Sequence, residues 1–320
     1  MRVVAFGGGH GLAASLRALR LAAGPLDLAI TAVVTVGDDG GSSGRLRADR
    51  GVIPPGDLRQ ALAALAGDDA LSARTAELFQ HRFGAGDGAV VDALTGHPVG
   101  NLVLCGLMEL YGDPVQALDH AAALVRARGR VLPMSPSAVA IEAEIRGADP
   151  ARPGDVVTIR GQHNIAIARG RVETVRLTPA NPPACEEALA AVGAADWLLF
   201  GPGSWYTSVI PHLLIPDLAA AIVASPARRL VMLNLAVETE TAGLSLADHL
   251  AALSWYLPDL QVDVVLADQK AVGDPVEVQR GAESLGARLA LAAVAVGDGS
   301  VQHDPVALAA ALVPTLGSAR

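Results

Sequence analysis

Apolar residues along this chain come in short runs that end on glycines or acids, and these runs alternate with Ala/Leu-rich stretches at helical spacing. Arg2 to Phe6 is the first such run, and Gly7-Gly8-Gly9-His10-Gly11 follows it at once. From Leu12 to Leu21 the apolar positions recur with helical period, leaving Arg17 and Arg20 on the other face. Leu28 to Val36 is rich in β-branched residues and carries no charge, which predicts a strand buried on both faces. Strand, glycine loop, helix and strand are the opening of a doubly wound nucleotide-binding sheet. Further strands are predicted at Ala195 to Phe200, Arg229 to Leu235, Gln261 to Ala267 and Leu289 to Val296. Residues 57–83 and 100–128 read as mostly helical, separated by the glycine-rich Gly84 to Gly88, and Asp304-Pro305 starts a closing helix.

The middle of the chain has a different period. Ala138 to Ile145, Val156 to Arg160 and Ile165 to Val175 alternate, with Pro133, Pro136, Pro150 and Pro153 between and around them. The expected architecture is α/β: a modified doubly wound, Rossmann-like, mostly parallel sheet with a small antiparallel insertion around 131–175. Residues 1–320 are read as one domain.

Composition narrows the function. A formal charge of −9 argues against a nucleic-acid binder, which needs a basic face to displace counterions. Only 3% of residues are aromatic, so Ala, Leu and Val must build the core. Cys105 and Cys185 form no CxxC pair and read as buried thiols of a reducing compartment. The N-terminal segment lacks the pattern of a signal peptide, and no apolar run approaches the ~20 residues of a membrane span. A soluble, cytoplasmic protein is expected.

The chemistry gathers at strand ends. After Val36 come Asp38 and Asp39, then Gly40-Gly41-Ser42-Ser43-Gly44, with Arg45 and Arg47 beyond, and Pro54-Pro55-Gly56-Asp57-Leu58-Arg59 closes what reads as a loop. Carboxylates, glycines, hydroxyls and guanidinium groups at the end of a buried strand suit a phosphorylated ligand, and a metal with it. The plain alternative is that the carboxylates accept N–H bonds of their own loop. The first glycine loop fails the dinucleotide fingerprint, since Leu12 stands where a third glycine belongs, yet free N–H groups at a helix start still favour a phosphate. A second loop of this type, Gly201-Pro202-Gly203-Ser204-Trp205-Tyr206-Thr207-Ser208, follows the Ala195 to Phe200 strand. In Gly96-His97-Pro98-Val99-Gly100-Asn101, Asn101 is suited to cap the next helix or to face a ligand, and His97 reads as buried and satisfied. Asp248 and His249 sit on a helix whose default reading is a solvated face.

Taken in order, GGGHGL, TVGDDGGSSGRLR, PPGDLR, GHPVGNL and GPGSWYTSVIP resemble the family that joins 2-phospho-L-lactate transferase, the CofD enzyme of coenzyme F420 synthesis, with the YvcK-type gluconeogenesis factors. The serine pair and Arg45-Leu46-Arg47 point to the YvcK branch. The resemblance implies a modified doubly wound fold, a homodimer, and a nucleotide-sugar ligand such as UDP-N-acetylglucosamine, linked to cell-wall and central-carbon homeostasis and to cell shape. Position by position it implies ligand contacts from Gly8, Gly9, His10, Gly11 and Leu12, and from Asp38, Asp39, Ser42, Ser43 and Arg45. It extends to Asp57, Arg59, Asn101, Gly201, Gly203, Ser204, Tyr206, Thr207 and Asn234. Three departures stand out: His10 for a small hydroxylated residue, Ala-Val-Glu-Thr-Glu-Thr after Asn234, and Gln302 where a basic residue is expected. The last two segments are the ones expected to tune ligand specificity.

Two functions follow. The first is a regulatory protein that binds a nucleotide-sugar and signals to a protein partner. The second is a transferase moving a phospho-organic acid from a nucleotide diphosphate carrier, with Mg²⁺ held by Asp38 and Asp39 and Asp57 as base. A nicotinamide oxidoreductase is disfavoured by the failed fingerprint, and motif content favours binding over catalysis.

Overall fold

Seven parallel strands form the main sheet of the computed structural model, which describes residues 1–84, 92–236, 238–298 and 301–318. The glycine-rich expectation at 84–88 lies outside the described residues from position 85 onward. In chain order the strands are β1 (Arg2–Gly7), β2 (Ala29–Val34), β3 (Arg130–Pro133), β4 (Ala140–Arg146), β5 (Val156–Arg160), β6 (Arg171–Thr178), β7 (Trp197–Phe200), β8 (Arg228–Met232), β9 (Val264–Asp268) and β10 (Arg288–Ala292). The main sheet runs β10-β9-β8-β7-β1-β2-β3, with every pair parallel. From β1 the chain winds outward through β2 to β3, then returns to β7 and winds the other way. The order therefore reverses between β1 and β7, the place where such sheets open a crevice for ligands.

Burial on both faces explains why the central strands are continuous apolar runs. Every residue of β7 and β9 is buried, as is β1 after Arg2. Phe6 of β1 and Phe200 of β7 stack at 4.9 Å between ring centroids, which locks the two strands at the switch point. The helix Gly9–Leu26 covers one face through Leu12, Leu16 and Leu19, and the closing helix Pro305–Gly317, capped by Asp304, packs beside it.

β4, β5 and β6 form a separate antiparallel sheet in the order β5-β4-β6. The expected insertion is present, with shifted bounds. Arg130–Pro133 pairs with β2 as the edge of the main sheet, and the third strand of the insertion reaches Thr178. Ile165 to Val175 is also not one strand: Gln162–Ile167 is a short helix, and β6 starts only at Arg171. The Gly40–Gly44 loop is likewise the start of a helix, Gly41–Arg50. Gly44 is needed there, because a Cβ would overlap the carbonyl oxygen of Asp39 where the helix folds back on the acidic turn. Among the described residues no single helix is long and apolar enough to cross a membrane.

Candidate functional site

The two glycine loops meet. A Cβ on Gly11 would overlap the carbonyl oxygen of Pro202 and lie 2.7 Å from Gly203 Cα, so only glycine allows this backbone contact. Gly11 thus supplies the close approach that the sequence pattern expects of a glycine at position 12. Leu12 itself is a core residue, 1% exposed and packed under Gly7, so it offers a ligand no side chain. A Cβ on Gly8 would run into Asp57 and into Thr35 Oγ1, which sets the loop directly against the Pro55–Ala64 helix.

Beside the loops lies a cavity of about 530 Å³. Of the residues expected at the ligand, Gly8, Gly9, His10, Gly11, Gly203, Ser204 and Asn234 line it. The helix Gly9–Leu26 starts here with no side-chain cap from Gly8; Asp57 takes the Gly9 N–H, which leaves the N–H groups of His10 and Gly11 for a ligand. Asn234 builds the opposite wall: its Oδ1 accepts the Gly203 N–H at 2.8 Å and its Nδ2 donates to the Gly203 carbonyl at 3.0 Å. This two-point grip holds the second loop open.

Arg17 is the cationic side chain lining this cavity, although its place on the polar face of its helix gave it no role. The signal was available: His10, Ala14 and Arg17 fall at helical spacing on one stripe, and all three line the cavity. Gln162 arrives from the insertion, while Leu235, Ala236 and Glu238 follow Asn234. Gln302 and His303 come from a C-terminal bend in which Val296 N–H donates to the Gln302 carbonyl at 2.9 Å. That bend is anchored by Asp268, whose Oδ2 accepts the N–H groups of Val294 and Ala295 at 2.9 and 3.1 Å. Both segments flagged as departures from the family pattern thus reach the cavity.

Tyr206 and Thr207 do not line it. Both are buried in a short π-helical stretch, Trp205–Val209, with the Tyr206 N–H and the Thr207 hydroxyl donating to Glu240 at 2.8 and 3.0 Å. Burial, then the nearby Glu238, pushes the Glu240 carboxyl up to about 7. Gly201 lies behind the loop against the Met232 carbonyl, where a Cβ would come within 2.7 Å.

The acidic turn forms a second polar centre behind the first glycine loop. Asp57 is buried and accepts the Thr35 hydroxyl at 3.0 Å; burial first, then the charge of Asp38, raises it to about 6. Asp38 accepts the Gly40 N–H at 2.9 Å. Asp39 turns away toward the insertion, where it accepts the His163 N–H at 3.1 Å against Gly161. Asp38 and Asp39 therefore do not face one point, and the carboxylate that the charge of Asp38 reaches is Asp57. Among the described residues no group of three or more His, Cys, Asp or Glu side chains gathers as a metal site.

Ser42, His97 and Asn101 come together on the far side of this centre. Asn101 Nδ2 donates to Ser42 Oγ at 3.0 Å, and Ser42 Oγ lies 2.7 Å from His97 Nδ1. Burial and the charges of Arg45 and Arg82 lower the affinity of His97 for a proton. His97 is buried and satisfied, as read from sequence. Asn101 is not the cap of its helix, since Pro98 holds that position and Asn101 sits inside the first turn. Ser43 is buried next to Gly56. Arg45 and Arg47, expected near a phosphate, instead donate to the carbonyls of Thr95 and Val139 at 2.9 and 2.8 Å. His249, assigned to a solvated face, is buried at 5.2 Å from the Trp205 ring, while Asp248 caps its helix together with Ser245.

Compared with known proteins, residues 3–292 match the family described as 2-phospho-L-lactate transferase CofD. The chain is 50% identical over 314 residues to a Mycobacterium tuberculosis protein, covering 97% of this chain and 89% of that one. It is 36% identical over 277 residues to the gluconeogenesis factor of Bacillus subtilis, covering 86% of this chain and 81% of the relative. The crystal structure of a member of the UPF0052 family from Bacillus halodurans superposes with a TM-score of 0.82 at 33% identity, covering 97% of this chain and 98% of that one.

Proposed function

Because this chain belongs to the 2-phospho-L-lactate transferase CofD family, we propose that it serves as a gluconeogenesis factor binding a nucleotide-sugar of the UDP-N-acetylglucosamine type. In this reading the bound state is relayed to cell-wall and central-carbon metabolism, and through them to cell shape. One observation carries it: two glycine loops touch at Gly11 and Pro202, and the cavity beside them gathers free helix-start N–H groups, Ser204 and Arg17. A diphosphate uses all of these together, with N–H groups taking its oxygens and the guanidinium adding charge-assisted bonds. Glu238, Gln302 and His303 offer partners for sugar hydroxyls and a base edge farther along the wall. A cavity of about 530 Å³ has the size of a small-molecule site. The relatives named gluconeogenesis factors support the regulatory half of the reading.

Calorimetric titration with UDP-N-acetylglucosamine tests it. The expected result is saturable binding, weakened about tenfold or more in Arg17→Gln, with recovery of the nucleotide chemically unchanged after long incubation. A wild-type protein that neither binds nor is thermally stabilised by this ligand overturns the proposal.

A second reading, transfer of a phospho-organic acid, is favoured by the pairing of Asp38 with the raised carboxyl of Asp57. These two residues, and not Asp39, would hold Mg²⁺, whose chemistry there is to neutralise charge on a diphosphate. A carboxyl poised near 6 is also suited to accept a proton from an attacking hydroxyl. Release of a nucleoside monophosphate in the presence of a deazaflavin alcohol, lost in Asp57→Asn, distinguishes this reading from the first.

A further inference from the structure

Arg59 is a buried cation with an unspent donor. Its residue is 6% exposed, its Nε has no hydrogen-bond acceptor, and no ion pair to it occurs among the described residues. Burial followed by the nearby charge of Arg82 lowers its pKa to about 10, with Asp57 and Asp38 opposing the shift. A buried guanidinium nitrogen left without an acceptor gives up its hydration unless a ligand takes its proton.

Helix starts gather around Arg59. Three helices start there, Gly41–Arg50, Pro55–Ala64 and Val99–Tyr111, and none has a side-chain cap. Their first turns touch pairwise. Ser42 Oγ accepts from Asn101 Nδ2 at 3.0 Å, a Cβ on Gly56 would overlap Ser43 Oγ, and a Cβ on Gly100 would lie 2.9 Å from Arg59 Cγ. The Gly41–Arg50 and Pro55–Ala64 starts present unpaired N–H groups; at Val99–Tyr111 only that of Gly100 remains, since Val99 and Asn101 N–H donate to the carbonyls of His81 and Pro98 at 2.9 and 3.1 Å. The partial positive charges of the three starts add together. One more atom is unspent: Asn101 Oδ1 is buried with no donor facing it. Ser42, Asn101 and Arg59 are 5%, 2% and 6% exposed, so each keeps a small area at the surface.

We infer that Arg59 and these three helix starts form a second anion site, separate from the glycine-loop cavity, that takes one oxyanion group of a phosphate or carboxylate. Guanidinium protons and helix N–H groups receive its oxygens, and Asn101 Oδ1 receives a hydroxyl on the same ligand. Asp38 and Asp57 border the site on one side, which disfavours a multiply charged group lying against them and selects a single oxyanion held on the Arg59 side. None of these residues lines the glycine-loop cavity, so the assignment stands or falls independently of nucleotide-sugar binding.

The test is titration of the whole chain, in a chelator and a buffer free of oxyanions, with inorganic phosphate in one series and acetate in another. Saturable 1:1 binding of either probe is expected, the tighter one identifying the group. Arg59→Met is expected to weaken it by about tenfold to a hundredfold, Arg59→Lys by less, and Arg17→Gln not at all. Should Arg59→Met not fold, Asn101→Leu supplies the same readout with its own loss of binding. No saturable binding of either probe to the wild type overturns the inference. So does binding that survives the folded Arg59 variant, phosphate binding that survives Asn101→Leu, or binding that is abolished by Arg17→Gln.

Discussion

The carboxylate of Asp39 accepts the backbone N–H of His163 at 3.1 Å, although 124 positions separate them in the chain. This bond starts the Gln162–Ile167 helix and brings Gln162 of the insertion to the cavity. Asp38, one residue earlier, serves a different partner, the N–H of Gly40. Adjacent side chains leaving a strand diverge, and here one secures the insertion while the other faces Asp57.

Asp39→Ala is therefore expected to cost about 1 kcal/mol, the loss of a helix-start acceptor, with the nucleotide affinity nearly unchanged. Asp38→Asn is expected to leave the melting curve close to wild type and to bring the Asp57 carboxyl down toward its ordinary value. Thermal unfolding and carboxyl-resolved NMR titration check the pair. Equal behaviour of the two variants in both measurements contradicts the divergence.

Stability should also carry a signature of the raised acids. Asp57 moves from 3.8 to about 6 on folding and Glu240 from 4.5 to about 7. Between those limits the unfolded chain has lost the protons that the folded chain keeps. It binds fewer protons, so these groups make stability fall as pH rises from about 4 to about 7. For Asp57 the full effect is on the order of 3 kcal/mol, complete above its folded value. Chemical denaturation at several pH values reads it as a difference: Asp57→Asn should gain on wild type across the window. A constant offset between the two proteins would refute it.

Glu240 is expected to matter as an acceptor as well. Glu240→Ala leaves the Tyr206 N–H and the Thr207 hydroxyl buried and unpaired beside the second glycine loop. A loss of about 1–3 kcal/mol is expected. The same change should speed hydrogen exchange of the amides at 205–209, which locates the damage in the π-helical stretch.

Two glycines of one helix provide a matched contrast. Gly11→Ala drives a methyl into the Pro202 carbonyl, so it should both destabilise the fold and abolish nucleotide binding. Gly24→Ala meets nothing within 4 Å and should be neutral or stabilising by up to about 1 kcal/mol. If Gly11→Ala keeps wild-type affinity, the two loops do not clasp the ligand between them.

Hydrophobic period alone determined most of the architecture, because burial on both faces writes a strand such as Leu199–Phe200 or Val264–Ala267 directly as an apolar run. The glycine loops were legible for the same local reason: each follows its strand within the chain and opens a helix. Which glycine makes the close approach was not legible, since Gly11 meets Pro202 only when β1 and β7 lie side by side. Nor was the role of Arg17, which looks like a solvated helix face until the C-terminal bend brings Gln302 and His303 to the same cavity. Asp38 and Asp39 read as a pair because they are adjacent, and tertiary structure separated them because His163 and Asp57 approach from different sides. Local sequence specifies which groups are available. The long-range packing of parallel strands, whose partners lie far apart in the chain, decides which of those groups converge.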